Sequence, residues 1–213
     1  MMKPVKILYV YDPLCGWCFG FSGVIKKLAE DYASDFEFDV ISGGMIVGER
    51  AGVLAPKMAE YILSTIPRLE THTGVKFGEI YKQQIASGTL YQSSVKPSIA
   101  LCVFKDHFPD KAVPFASAIQ NAQFVEGKNL EDDQTYLSLI TPYNIDPGTF
   151  LEQLNSEEYH RKAYEEFNYA QQLGVSGFPA VIAVHKDKYY LVSNGYQSYE
   201  QLQPVFEKLK TFE

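Results

Sequence analysis

Two cysteines stand two residues apart where a strand pattern gives way to a helical one, and this junction constrains the chain more than any other stretch. The run Ile7-Leu8-Tyr9-Val10-Tyr11 reads as a strand. Asp12-Pro13 stops it, because the residue before a proline avoids the α region. After Cys15-Gly16-Trp17-Cys18, apolar residues recur at Phe21, Val24, Ile25 and Leu28, the spacing of a helix face. Cys15 is therefore expected at a helix N-terminus, where unpaired amides and the positive end of the helix dipole favour a thiolate. A dithiol there can attack a disulfide through Cys15 and release the mixed disulfide through Cys18. A lone Cys-x-x-Cys also reads as two buried cysteines or half a zinc site. The strand before it and the helix after it favour redox chemistry.

The rest of the chain completes a layered α/β pattern. The first strand is expected over about Val5 to Tyr11, the first helix from near Cys15 to Tyr32, and a second strand over Phe36 to Ile41, which alternates apolar and acidic residues. Strand, helix and strand in that order predict a parallel pair with a crossover. Ser42-Gly43-Gly44 reads as a flexible exit; it lacks the Gly-Lys-Ser/Thr ending of a phosphate loop. From Pro56 to about Leu173 helical patterns dominate. Pro56 suits a first turn; Met58, Tyr61, Ile62 and Ile66 form the expected stripe; Pro67 is expected to end or kink that helix. Further helices are expected near 78–86, 97–107, 112–125, 133–139, 149–154 and 156–172, with 141–144 and 146–148 as loops. Ala180–Val184 and Tyr189–Val192 form a hairpin around Lys186-Asp187-Lys188, and 197–212 is a final amphipathic helix. The expected division is a first sheet segment over 1–44, an all-helical insertion over 45–174 and a second sheet segment over 175–213.

Charge and composition exclude some functions. A net charge of −7 argues against non-specific binding to nucleic acid or to an anionic membrane surface. No apolar run is long enough to span a bilayer, and Met1-Met2-Lys3-Pro4-Val5-Lys6 lacks the pattern of an export signal. One cysteine, Cys102, remains outside the motif, so no structural disulfide framework is expected. The expectation is a cytoplasmic protein.

Cys15-Gly16-Trp17-Cys18 after the first strand, Gly177-Phe178-Pro179 before the later hairpin, and the helical insertion between them resemble the thioredoxin superfamily in its DsbA-like branch. The chain looks most like the cytosolic protein-disulfide isomerases and FrnE-like proteins, whose dithiol also follows an Asp-Pro and carries Trp second. The stretch Ala122 to Gly127 is similar to a segment of that branch's insertion. The resemblance implies a thioredoxin fold with a large helical insertion and a cis peptide at Phe178–Pro179, opposite Cys15. It implies a thiol–disulfide oxidoreductase or isomerase acting on protein or low-molecular-weight disulfides. Cys15 and Cys18 would be catalytic, and Gly16, Trp17, Phe178 and Pro179 would shape the substrate surface. No bound cofactor or metal is required, with glutathione a candidate redox partner. Two departures stand out. Relatives carry an acidic residue six positions before the first cysteine, where this chain has Tyr9, so water, Tyr9 or Asp12 must move the proton. Strong oxidants of this type carry His where Trp17 stands.

Other residues read as structural. Cys102 lies in an apolar context and reads as a small buried side chain. His72, His107, His160 and His185 are scattered, without ligand spacing. Tyr189, Tyr190, Tyr196 and Tyr199 read as packing. Two alternative functions remain. One is a glutathione-dependent isomerase or transferase of the kappa or 2-hydroxychromene-2-carboxylate isomerase type, which carries serine where Cys15 stands. The other is a metal or iron–sulfur module built on the cysteine pair.

Overall fold

The computed structural model describes residues 5–212. The reading of residues 1–4 as lacking an export signal lies outside them. A four-stranded sheet forms the centre, in the order β2 (Phe36–Ser42), β1 (Val5–Tyr11), β5 (Ala180–His185), β6 (Lys188–Asn194). β1 (Val5–Tyr11) runs parallel to β2 (Phe36–Ser42), and α1 (Gly16–Asp31) makes the crossover between them. β5 (Ala180–His185) returns antiparallel to β1, pairing Lys6 with Val184 and Val10 with Ala180. β6 (Lys188–Asn194) closes the hairpin through Lys186 and Asp187, both at positive φ, the backbone that a two-residue turn between twisted strands needs. β1 is central and covered on both faces, which is why it reads as an unbroken apolar run. Tyr9 and Tyr11 are fully buried in it.

Between the two sheet segments lie α2 (Pro56–Thr73), α3 (Glu79–Ala86), α4 (Val95–His107), α5 (Ala112–Phe124), α6 (Asp133–Ile140), α7 (Pro147–Leu154) and α8 (Glu157–Gln172). α9 (Tyr199–Leu209) follows β6, started by a capping box of Ser198 and Gln201. The stretch is helical apart from a ribbon of β3 (Gly52–Val53) and β4 (Tyr91–Gln92). Two residues per strand carry no readable period.

Three local expectations change. α2 continues through Pro67 to Thr73 and ends at Gly74 in the left-handed conformation. Ile66 and Leu69, on either side of the proline, are buried with Phe19, Phe77 and Phe124, and that burial outweighs one lost backbone hydrogen bond. The buried stripe of α2 is Ala59, Ile66 and Leu69, while Met58 and Tyr61 face outward at 49% and 64% exposure. The stretches 141–144 and 146–148 are not plain loops. Thr141–Tyr143 makes a 3-10 turn, and Asp146 caps α7, accepting from the Thr149 amide with Pro147 in the first turn. Among the described residues no helix is long and apolar enough to cross a membrane.

Candidate active site

The site is built at the end of β1. The fully buried Asp12 carboxylate accepts the Leu14 amide on Oδ1 at 2.9 Å, and its main-chain carbonyl accepts the Cys15 amide at 3.1 Å. This tight turn delivers Cys15 to the N-cap of α1 with extended backbone, φ −83° and ψ 114°. Cys15 Sγ accepts the Cys18 amide at 3.4 Å, so an otherwise orphaned helix N–H points at the sulfur. Cys15 keeps 8% of its surface exposed and Cys18 none. Both are free thiols.

The facing wall comes from the segment before β5. The Phe178–Pro179 peptide bond is cis. Cys15 Sγ donates to the Phe178 carbonyl at 3.6 Å. The Pro179 carbonyl accepts the Gly195 amide at 2.7 Å, which ties this segment to the turn that carries Tyr196. Tyr196 packs beside Trp17, with ring centroids 6.3 Å apart. His72, at the end of α2, meets Trp17 edge-on at 5.8 Å and Tyr196 at 5.2 Å. Three rings from three elements thus form one rim of the dithiol.

The electrostatics separate the groups. Burial pushes the Cys18 thiol well up, and neighbouring Cys15 and Asp12 push the same way, against the favourable Asp12 amide. Burial likewise raises the Tyr9 hydroxyl, which donates to the Cys18 carbonyl at 3.4 Å. Asp12 is pushed up to about 6 by burial, against the pull of the Met45 and Leu14 amides, the Ser94 hydroxyl and Arg50. Ser94 Oγ donates to Asp12 Oδ1 at 3.0 Å, and the Met45 amide donates to Oδ2 at 2.7 Å. One carboxylate therefore joins the dithiol turn, the segment after β2 and the start of α4.

The structure brings together Cys15, Cys18, Trp17, Phe178 and Pro179 from the expected set. Gly16 is adjacent and faces Leu69 of α2, where a Cβ would approach within 3.1 Å. Three contributors escaped sequence reasoning: His72, Tyr196 and the pair Gly43-Gly44. The glycines leaving β2 are closely packed against neighbouring side chains. Gly43 donates its amide to Tyr11 O at 2.7 Å and lies under the Phe178 ring. The only sequence signal was the pairing of two glycines directly after a strand. Cys102 is 4% exposed and its thiol is pushed up by burial and by Glu166. It lines a separate groove of about 350 Å³ with Lys105, Lys162 and Glu166. Among the described residues no group of three or more His, Cys, Asp or Glu is placed to hold a metal ion.

Comparison with known proteins places this geometry. The family profile described as DSBA-like thioredoxin domain matches residues 6–207. The fold is similar to that of a candidate protein disulfide isomerase from Nitrosomonas europaea, with TM-score 0.86, 23% identity and 97% of each chain covered. It is also similar to the cytosolic disulfide reductase DsbM from Pseudomonas aeruginosa, with TM-score 0.79, 21% identity, and 97% of this chain and all of that one covered; DsbM is also solved with GSH. Among curated proteins, the ClpXP adapter protein SpxH of Bacillus subtilis is 24% identical over 97% of this chain and 68% of its own length. The protein of the same description from Halalkalibacterium halodurans matches at 24%, and this chain spans 50% of it.

Proposed function

We propose, on the premise that the chain belongs to the family of DSBA-like thioredoxin domains, that it is a thiol–disulfide oxidoreductase working in the reducing or isomerising direction on polypeptide or low-molecular-weight disulfides. The observation that carries the proposal is Cys15 Sγ at the N-cap of α1, bonded by the Cys18 amide and facing the Phe178 carbonyl. Residues 1–44 and 175–213 supply the dithiol and its facing wall, and 45–174 is the insertion that covers them. The cytoplasmic setting is inferred from the cytosolic description of DsbM.

In the reducing direction, the Cys15 thiolate attacks one sulfur of a substrate disulfide. A Cys15–substrate disulfide forms, and the other substrate sulfur leaves as a thiolate. Cys18 then gives up its proton to a base, either water or Asp12, whose charge acts on this thiol, and the new thiolate attacks Cys15 Sγ. The Cys15–Cys18 disulfide forms and the remaining substrate sulfur leaves as a thiolate, which takes up a proton. Tyr9 is a poorer acceptor because burial keeps its hydroxyl protonated. Burial with rising pKa suits Asp12 to hold a proton near neutrality.

Cys15→Ser should abolish reduction of insulin disulfides, and Cys18→Ser should retain attack and accumulate a mixed disulfide on Cys15. Full turnover by Cys15→Ser would overturn the proposal. The reading as a glutathione-dependent isomerase or transferase is less favoured, since both cysteines are present here, and the 2-hydroxychromene-2-carboxylate isomerase match at 13% identity speaks to fold alone.

A second reading, a protease adapter, rests on the two curated relatives carrying that description. Degradation of a ClpXP substrate, measured with wild-type and Cys15→Ser protein, separates the two. Stimulation by both forms, without insulin reduction by the wild type, would favour the adapter.

A further inference from the structure

Gly43 follows β2 in an ordinary backbone conformation that any residue can adopt, since it is absent from the positive-φ glycines. Its lack of a side chain has a steric reason. A Cβ at position 43 would stand 2.0 Å from Cζ and 2.1 Å from Cε1 of Phe178, and its three nearest atoms all belong to that ring. Real Cβ atoms do not approach so closely, so one side must yield.

The glycine side is fixed. The Gly43 amide donates to Tyr11 O at 2.7 Å, extending the β1–β2 ladder. Two residues on, the Met45 amide is held by Asp12 Oδ2 at 2.7 Å, and the Ile46 amide by Ser94 Oγ at 3.0 Å. The next residue is packed as well: a Cβ on Gly44, which sits at φ +66°, would lie 2.6 Å from the Phe167 ring. Gly43 thus lies against the Phe178 ring and Gly44 against the Phe167 ring. Phe178 is half-buried, and its own carbonyl is the group that faces Cys15 Sγ at 3.6 Å. The ring packs against two core clusters, so turning it away about its own side-chain bonds gives up those contacts, and the alternative is a shift of the Phe178 main chain that carries the carbonyl with it.

We propose that Gly43 is a positioning residue for polypeptide substrates: the space it leaves for the Phe178 ring holds the Phe178 main chain where an extended, disulfide-bonded polypeptide pairs beside Cys15. The inference rests on the oxidoreductase reading and adds the substrate class that the seat serves. An extended chain docking as an added strand draws affinity from main-chain hydrogen bonds, so it depends on where Phe178 lies. A small disulfide makes no main-chain pairing and should feel the seat only weakly, through the Phe178 carbonyl that faces Cys15 Sγ.

The test compares wild type, Gly43→Ala, Phe178→Ala and the double variant on a disulfide-bonded peptide and on hydroxyethyl disulfide, with circular dichroism as the folding control. Gly43→Ala should raise KM for the peptide about tenfold, the effect of a lost main-chain hydrogen bond, with kcat little changed. Its kcat/KM for hydroxyethyl disulfide should stay within about twofold of wild type, because that substrate makes no main-chain pairing. In the Phe178→Ala background, adding Gly43→Ala should change nothing further, because the ring it would strike is gone. Should Gly43→Ala not fold, recovery of folding in the double variant still reads the steric conflict. An unchanged peptide KM, an equal loss on both substrates, or a loss that persists in the double variant would overturn the seat. Wild type inactive on both substrates would instead overturn the oxidoreductase reading.

Discussion

Asp12 and Asp39 are both carboxylates beside the first two strands, yet their surroundings drive them in opposite directions. Asp39 lies on β2, with Oδ1 2.8 Å from Lys105 Nζ and Oδ2 2.9 Å from Lys6 Nζ. Burial would raise it, but the two lysines overcome that and hold it below the usual 3.8. Lys105 also binds Glu166 at 2.7 Å and the Val40 carbonyl at 2.7 Å. Burial would lower Lys105, and its two carboxylates hold it up instead. Asp12 has only N–H and O–H donors in contact, with Arg50 acting from further away, and burial wins. A buried carboxylate facing cations is locked in one charge state and serves as a clamp. One facing only dipoles stays within reach of a proton, and that is the one beside the dithiol.

The clamp should give the largest effect when broken. Lys105→Met leaves Asp39 and Glu166 buried without their shared cation, and should cost about 4 kcal/mol of unfolding free energy in urea titration. The alkylation rate of Cys15 in the folded protein should not change. A loss below about 1 kcal/mol, the range of an exposed ion pair, would show that the clamp is solvated.

Asp12→Asn sharpens the contrast through pH. A carboxylate raised in the folded state stabilises fully below its unfolded value of 3.8, and that stabilisation is lost as pH rises through about 6. Asp39, held down, works with the opposite sign: its contribution is present above 3.8 and fades as pH falls through its lower folded value. Between pH 4 and 7 the wild type should therefore lose about 2.4 kcal/mol relative to Asp12→Asn, most of the effect of a shift from 3.8 to about 6, since pH 4 already lies just above the unfolded value. Taking the difference across pH removes any fixed cost of the substitution. The same variant should lower kcat about a hundredfold, the scale of a lost proton acceptor. It should also let the Cys15 mixed disulfide accumulate and abolish a rise of wild-type turnover through about pH 6. A parallel pH dependence in the two proteins would remove Asp12 from proton transfer.

The same contrast explains what could be read from the sequence. The dithiol junction was legible because strand, turn and helix start are local and each leaves a residue signature. The Phe178–Pro179 segment was legible only through resemblance, since nothing near it in the chain says that it faces Cys15. His72 and Tyr196 lie 55 and 179 residues from Trp17 in the chain, counting from position 17 to 72 and to 196, and a lone His or Tyr carries no sign of its partner. Gly43-Gly44 looks the same as any strand exit until the Phe178 and Phe167 rings are placed on it. The stripe of α2 was misplaced for a related reason: composition offered several apolar faces, and packing against Phe19 and Phe77 selected one.

The smallest effect concerns redox poise. A helix N-terminus stabilises a thiolate and with it the reduced form of a dithiol, while a carboxylate on the same turn, as Asp12 is here, opposes that charge. The dithiol should therefore lie between the strong oxidants and thioredoxin, roughly −170 to −260 mV. Trp17 is the only tryptophan, sits between the two cysteines and touches His72 and Tyr196, so its emission should follow the redox state in a glutathione titration. Asp12→Asn removes the opposing charge and should raise the potential by about 30 mV, equivalent to about 1.4 kcal/mol. Lys105→Met, acting on the other carboxylate, should leave the potential in place. A wild-type value above about −150 mV, near the strong oxidants, would sink the reductase direction. A shift by Lys105→Met as large as that by Asp12→Asn would mean that the two buried acids are not separate systems.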